Sequence, residues 1–349
     1  MAQPIVHRGD FEPRSRIFKA WENQRNKREV HWLMECFAEA LGVFFYVYAG
    51  VGSQTAWVTG NILVGAKLAP VGLSSIFQVG FAYMGGILLA LGICAGTSGG
   101  HFNPCVSIAF TIFKGFPPLK ALRYIVAQIL GAYIACLLVY TQYKVTFQEC
   151  TAILTAAKEF DALNFTPNGL AGIFGFYLLP GQKLGFTFLN EFVSDTFIGL
   201  AIWASLDPSN ALIPPVMGPV MVSLAYGTAI WGFSMPGLVA NSARDIGGRL
   251  MAMTIWGSKA AGGRYSAVAA LTNIPAMLFA AFLYEFFLTD SDRVVSRAAY
   301  EFGVAHVNHR RHMHEKPHNL QQLNDTESQS PVDDKPTTYT YEHSERAPR

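Results

Sequence analysis

Charge is scarce in this chain. Only 14% of its 349 residues are Asp, Glu, Lys or Arg, against roughly 25% in an ordinary soluble domain. With 51% hydrophobic residues gathered into long uncharged runs, that deficit excludes a soluble globular domain and indicates an integral membrane protein. The formal net charge of +2 is too small to mark a nucleic-acid partner. Cysteine is scarce as well. Of the five cysteines, Cys36, Cys94, Cys105 and Cys136 lie in apolar surroundings and Cys150 lies just beyond a span. With no CxxC and no Cys/His spacing, a disulfide framework and a thiolate metal site are both excluded, and the five read as small buried hydrophobes. The short alternating segments of a membrane barrel are absent, so the class is α-helical. Residues 1–29 lack an apolar central region, so no cleavable signal peptide is expected and the first span is the targeting signal. Gly96-Thr97-Ser98-Gly99-Gly100 lacks the strand and Lys of a phosphate cradle, which excludes nucleotide binding. No nucleophile–base pair has usable spacing, so the chain does not read as an enzyme, and no cofactor or metal is implied.

What is present is a set of six apolar segments, each about the 20 residues needed to cross a bilayer. They fall near Val30–Gly52, Val71–Ala95, Leu119–Tyr140, Leu184–Ala204, Ile213–Phe233 and Ser266–Leu288. The chain divides into a basic tail (1–29), a channel-like unit (30–288, with repeats about 30–143 and 184–288) and a polar tail (289–349). The C-terminal tail cannot bury enough apolar surface to fold alone, and its cluster His306, His309, His312, His314 and His318 reads as solvated. Arg8, Arg14, Arg16, Lys19, Arg25, Lys27 and Arg28 precede the spans, and eight Lys or Arg follow them. An even number of spans places both termini on one side, and the basic excess makes that side cytosolic. Lys114, Lys120 and Arg123 agree; Arg249, Lys259 and Arg264 run against the rule. A connector over about 141–187 is then extracellular, and it carries the sequon Asn164-Phe165-Thr166.

Two short polar knots interrupt the oily pattern at matched depths, Gly100–Cys105 and Val239–Asp245. Irregular backbone at membrane depth is tolerated only where protein buries it or where it lines a watery cavity. An odd number of spans per half inverts the second half relative to the first, so the knots enter from opposite faces and can meet near the midplane. Asn is a favoured N-cap and Pro a favoured first helical residue, and Asn103-Pro104 has both; Asn241 is followed by Ser242. Asn103 and Asn241 are therefore candidate midplane donors, with Pro104, Cys105, Ser242 and Ala243 opening the half-helices. Facing N-termini stack two positive dipole ends at one point, which repels a cation and suits a neutral hydroxylated molecule. Arg244, one turn after Asn241, is costly at membrane depth and so reads as functional, with Asp245 pairing with it or orienting a loop. Glu39 and Glu191, read as lone acids in spans one and four, need partners, and the knots' free N–H groups supply them. His101 reads as loop packing.

With Ser98–Val106 as the first Asn-Pro-Ala-like loop and Asn241–Asp245 as the second, the chain resembles the major intrinsic proteins, the aquaporin and aquaglyceroporin family. Ala38-Glu39, Ala127-Gln128 with Gly131-Ala132, and Glu191 fit the family pattern over about residues 30–288. The resemblance implies six spans plus two re-entrant half-helices in an inverted repeat, a homotetramer with one pore per subunit, and passive flux of water or small neutral solutes. Asp245 after Arg244, with Arg249 four further on, is similar to the glycerol-permeable, fungal-type branch. Counting from the loop asparagines, the resemblance places the filter at Tyr83 (fallback Phe81), Ala229, Leu238 and Arg244. Cys105 and Ser242 depart from the usual loop residues. The implied permeants are glycerol and water, with urea or hydrogen peroxide as further candidates, across a plasma membrane with cytosolic termini. Three other readings fit the same residues: a water-selective pore, a proton-coupled transporter using Glu39 and Glu191 as a relay, and a non-conducting scaffold.

Overall fold

The computed structural model describes residues 14–304, apart from positions 73 and 236, together with Arg8 and Glu12. The histidine cluster that begins at His306 lies outside the described residues. Among the described residues every regular element is helical. A short basic helix, α1 (Arg16–Arg25), precedes α2 (Arg28–Gly65), which runs well past the expected end of span one. Then come α3 (Ile76–Ser98), the half-helix α4 (Pro104–Phe113) and α5 (Pro118–Gln142). The second half holds α8 (Leu184–Leu206), α9 (Gly218–Phe233), the half-helix α10 (Ser242–Trp256), and a sixth span split into α11 (Tyr265–Leu271) and α12 (Asn273–Leu283). α9 starts later than the hydropathy suggested because Pro214 and Pro215 open a 3₁₀ turn just ahead of it.

Five of these helical segments are long and apolar enough to cross a membrane. The 23-residue α8 falls outside that set because Asn190, Glu191 and Asp195 interrupt its apolar run. Neither Glu39 nor Glu191 is alone in its span: Glu35, one turn before Glu39, pairs with Lys120, and Asp195, one turn after Glu191, is buried beside it.

The two halves interleave. α2 packs on α3 and α5, while α8 packs on α9 and α12. Each half-helix crosses into the other repeat: α4 packs against α12, and α10 against α5. Small residues permit the closest crossings. A Cβ on Gly131 of α5 would collide with the backbone of Ala40, and one on Gly86 of α3 with that of Tyr46. This arrangement leaves the start of each half-helix deep inside the bundle.

The connector is not an open loop. It forms α6 (Lys144–Ala156), the short α7 (Phe160–Leu163) and a 3₁₀ turn at Ala171–Ile173 that turns inward among buried residues. Asn164 of the sequon is fully buried, and its Oδ1 accepts from the Ala171 N–H at 3.2 Å, so the folded chain offers no amide for glycosylation. At the end of the bundle where the described chain stops, residues 289–304 are also ordered by contacts. A helix over 297–304, α13, follows Ser296, whose N–H donates to the Pro208 carbonyl at 2.9 Å.

Candidate functional site

The two polar knots meet in the middle of the bundle and are built alike. Phe102 and Ala240, each just before its asparagine, sit in the left-handed region at φ 50° and 57°. That conformation costs a non-glycine residue about 1–2 kcal/mol, and carboxylates from neighbouring helices hold it in place. Glu39 of α2 accepts from the N–H groups of His101 (3.0 Å) and Phe102 (2.8 Å), from the Ser98 hydroxyl (2.6 Å) and from Gln128 Nε2 (2.7 Å). Glu191 of α8 accepts from the N–H groups of Val239 (2.5 Å) and Ala240 (3.4 Å). Both acids thus brace the loops. The Asp195 carboxyl meets the Glu191 carboxyl in a side-chain hydrogen bond, and among the described residues no other donor reaches its oxygens.

The turn aims each carbonyl at the opposite asparagine. Asn241 Nδ2 donates to the Phe102 carbonyl at 2.8 Å, and Asn103 Nδ2 to the Ala240 carbonyl at 2.9 Å. The amide oxygens cap their own half-helices. Asn103 Oδ1 accepts from Cys105 N–H at 3.2 Å, and Asn241 Oδ1 from Ala243 N–H and Arg244 N–H at 2.9 and 3.2 Å. Pro104 and Ala243 are buried in the first turns, and Cys105 is buried behind Asn103, away from the cavity. Ser242, where proline was the expected residue, donates its hydroxyl to Asn273 Oδ1 at 2.7 Å and so ties α10 to the sixth span.

Around this crossing runs a cavity of about 960 Å³. Asn103, Asn241, Tyr83, Leu238 and Arg244 all line it. It extends from Trp57, Asn168 and Phe176 at one end to Asp207, Ala299 and Phe302 at the other. Two expected positions do not line it. Ala229 faces away and packs among Ala225, Met277 and Ala281, whereas its neighbour Ile230 lines the cavity, on the same helix face as Tyr226 and Val222. Phe81 points outward, 55% exposed and stacked on Phe77, because two residues along a helix reverse the face.

Arg244 is fully enclosed by named partners. Nε donates to the Tyr83 hydroxyl at 2.9 Å, and Nη2 donates to the Ile173 carbonyl at 3.0 Å and to Gln54 Oε1 at 3.3 Å. Nη1 donates to the Phe174 carbonyl. Four of the five guanidinium N–H groups are therefore spent on protein, leaving one on Nη1. The Phe176 ring lies 4.3 Å from the guanidinium carbon. Asp245 does not pair with Arg244. It holds Arg249 (Nη2 to Oδ1 at 2.7 Å) and accepts from Phe176 N–H at 3.1 Å. Arg249 is thus a buried structural partner, which is why it carries no weight in the inside–outside balance of exposed charges. His101 packs between Phe110, Phe116 and Tyr124 and meets Ser107 Oγ at 3.0 Å.

Sequence reasoning missed Tyr46, Tyr226, Ile230, Gln54 and Phe176, all of which line the cavity. Tyr46 and Tyr226 look like ordinary core aromatics in apolar helices. Phe176 sits in the connector, whose inward turn has no periodic signal.

The family model described as "Major intrinsic protein" matches residues 26–261. Over 333 residues the chain is 59% identical to "Aquaporin-3" of Laccaria bicolor, covering 95% of this chain and 99% of that one. It is 33% identical over 238 residues to the "Glycerol uptake facilitator protein" of Pseudomonas aeruginosa, covering 66% and 78%. Among solved structures, the aquaglyceroporin from Plasmodium falciparum superimposes with a TM-score of 0.61 at 19% identity, covering 74% of this chain and 97% of that one.

Proposed function

The chain belongs to the major intrinsic protein family, a family of membrane channels rather than enzymes, and on that footing we propose that it passes glycerol as well as water down their gradients. The observation that carries this reading is the composition of the cavity wall. Ile230 and Leu238 supply hydrocarbon, while Arg244 and the Tyr83 hydroxyl supply polar atoms to the same lumen. Ile230 reaches to within 3.3 Å of where a side chain on Gly80 would begin, one turn from Tyr83, so it shares the filter level. A triol has a carbon edge and a hydroxyl edge, and a lumen with one wall of each kind matches both. A histidine at 230 would narrow the opening and replace hydrocarbon with a polar ring.

The pathway as proposed is lined at its midplane by the Asn103 and Asn241 pair and at its filter by Tyr83, Ile230, Leu238 and Arg244. Glu39 and Glu191 are positioning residues. The proposal extends to a channel unit over residues 30–288, a homotetramer, and a plasma-membrane location with both termini cytosolic. The basic residues of 1–29 support that orientation. Urea and hydrogen peroxide remain within the proposed permeant class of small neutral molecules. A water-only pore is the competing reading, and the aquaporin name of the relative at 59% identity favours it. Reconstituted vesicles carrying Ile230→His decide between the two. We expect glycerol flux to fall by about tenfold relative to water, a cost of roughly 1.4 kcal/mol at the barrier. An unchanged ratio contradicts the filter assignment. Ala229→His, by contrast, forces a ring into a packed core and is expected to impair folding.

A further inference from the structure

The helix α1 takes no part in the bundle. None of its residues is buried. The helical run breaks at Asn26 and Lys27, where Lys27 turns extended (φ −64°, ψ 139°), before α2 begins. At helical spacing Ile17, Phe18 and Trp21 share one face of α1, and they are 81%, 55% and 49% exposed. Arg16, Lys19 and Asn23 occupy the opposite face, also exposed. Large apolar side chains left in water forfeit free energy that an apolar neighbour recovers.

Charge and position say which neighbour that is. Residues 14–27 carry Arg14, Arg16, Lys19, Arg25 and Lys27 against a single acid, Glu22. Arg14 takes Glu22 at 3.0 Å, and among the described residues Arg16, Lys19, Arg25 and Lys27 form no ion pair. Only Asn26 and Lys27 separate α1 from α2, so its end stays within about 10 Å of the start of the first span. There α2 exposes Trp32, Leu33 and Phe37, and Arg123 of α5 lies 5.4 Å from the Trp32 ring. Tryptophan beside a cation at the end of a span marks the headgroup level of a bilayer. The apolar face of α1 thus continues the lipid-facing surface of α2. Three side chains also fall short of the roughly 800 Å² per partner that a stable protein interface takes.

We propose that α1 is a membrane-surface helix: Ile17, Phe18 and Trp21 enter the headgroup boundary beside the first span, and the unpaired cations bind anionic phospholipid headgroups there. Aromatic and aliphatic residues on one face with Lys and Arg on the other give a helix that preference, and each cation near an anionic surface adds to it. With the N-terminus cytosolic, as proposed above, the leaflet is the cytosolic one, where anionic lipid is concentrated.

The test is hydrogen exchange over residues 16–25 of the full chain, in lipid nanodiscs of phosphatidylcholine alone and of phosphatidylcholine and phosphatidylserine in equal parts. Exchange is expected to slow about tenfold in the anionic discs, and high salt is expected to reverse most of that gain. Arg16→Glu with Lys19→Glu is expected to abolish the difference between the lipids. Phe18→Glu with Trp21→Glu is expected to keep exchange fast in both. Equal exchange of the wild type in the two lipids overturns the proposal, and this comparison needs no variant. A lipid difference that survives Phe18→Glu with Trp21→Glu overturns it too, because charge then holds the segment without its apolar face. Slow exchange in both lipids that survives either pair of substitutions places α1 on protein and overturns it as well. Nanodiscs present both leaflets alike, so none of these results depends on the proposed orientation. An inverted orientation shows itself separately, as protease cleavage ahead of α1 from outside intact cells.

Discussion

The Asn241 side chain reaches across the junction of the two half-helices to the carbonyl of Phe102, 2.8 Å away, and the Ala240 carbonyl returns the contact to Asn103. Neither bond forms unless the residue before each asparagine stays left-handed, and Glu39 and Glu191 enforce that turn through backbone N–H groups. The acids are thus coupled to the lumen without lining it.

A direct consequence concerns two buried acids, one in each repeat. Glu39→Gln replaces one acceptor oxygen by an NH₂ that faces donors, at a cost of about 1.5–3 kcal/mol per bond lost to the carboxylate. A lower unfolding temperature in detergent and reduced flux are expected. Asp195→Asn replaces a buried carboxyl whose side-chain partner is the Glu191 carboxyl, and an amide there removes the like-charge pairing of two buried acids while still offering Glu191 a donor. It is expected to leave both readouts unchanged or to raise the unfolding temperature. Thermal unfolding of the two purified variants checks the contrast, and equal destabilisation contradicts it.

Thiol chemistry gives a second expectation. None of the five cysteines lines the cavity, and Cys105, the one at the knot, is 1% exposed. Mercurials are expected to leave water flux through the wild type unchanged. Leu238→Cys places a thiol in the lumen and is expected to make flux mercurial-sensitive. A wild type blocked as strongly as that variant places a native cysteine in the path.

A third expectation concerns the ordered segment after the sixth span. Burial raises the Asp207 carboxyl, but the Ser209 hydroxyl and N–H, the Tyr284 hydroxyl and Arg293 outweigh it and hold its pKa below the ordinary carboxylate value. The Tyr284 hydroxyl donates at 2.9 Å and Arg293 Nη1 lies at 3.6 Å. A depressed pKa means that this contribution is complete above the ordinary carboxylate range and is lost as pH falls through the depressed value. Hydrogen exchange over residues 293–304 is expected to be slow at neutral pH and to quicken with acidification. Asp207→Asn is expected to exchange quickly at every pH, and identical profiles for the two proteins exclude this anchor.

Much of the fold and part of the site were legible in the sequence. Asn103-Pro104 is a helix start that local chemistry writes out in full, and two such starts at membrane depth leave few architectures. The errors came where residue counting replaced geometry. Ala229 was reached by counting back from Asn241 across the segment that separates α9 from α10, whose length does not convert to helical phase, and the register slipped by one to miss Ile230. Asp195 was passed over because the apolar run around it reads as a span regardless. The enclosure of Arg244 by the Ile173 and Phe174 carbonyls could not be read at all, since backbone groups carry no residue signature and their segment folds back over a long distance in sequence. Tyr46 and Tyr226 were hidden for a different reason: in an apolar helix a tyrosine facing lipid, core or lumen has the same sequence context.

The most direct test of the central claim, a passive path formed where two asparagine-tipped half-helices meet, is stopped-flow light scattering of vesicles reconstituted with the full chain. Water and glycerol gradients are imposed in turn, with identical pH inside and out. The account predicts that both permeabilities rise well above those of empty vesicles without any proton gradient. Glycerol entry that appears only when a pH difference is applied, or vesicles no more permeable than lipid alone, contradicts it.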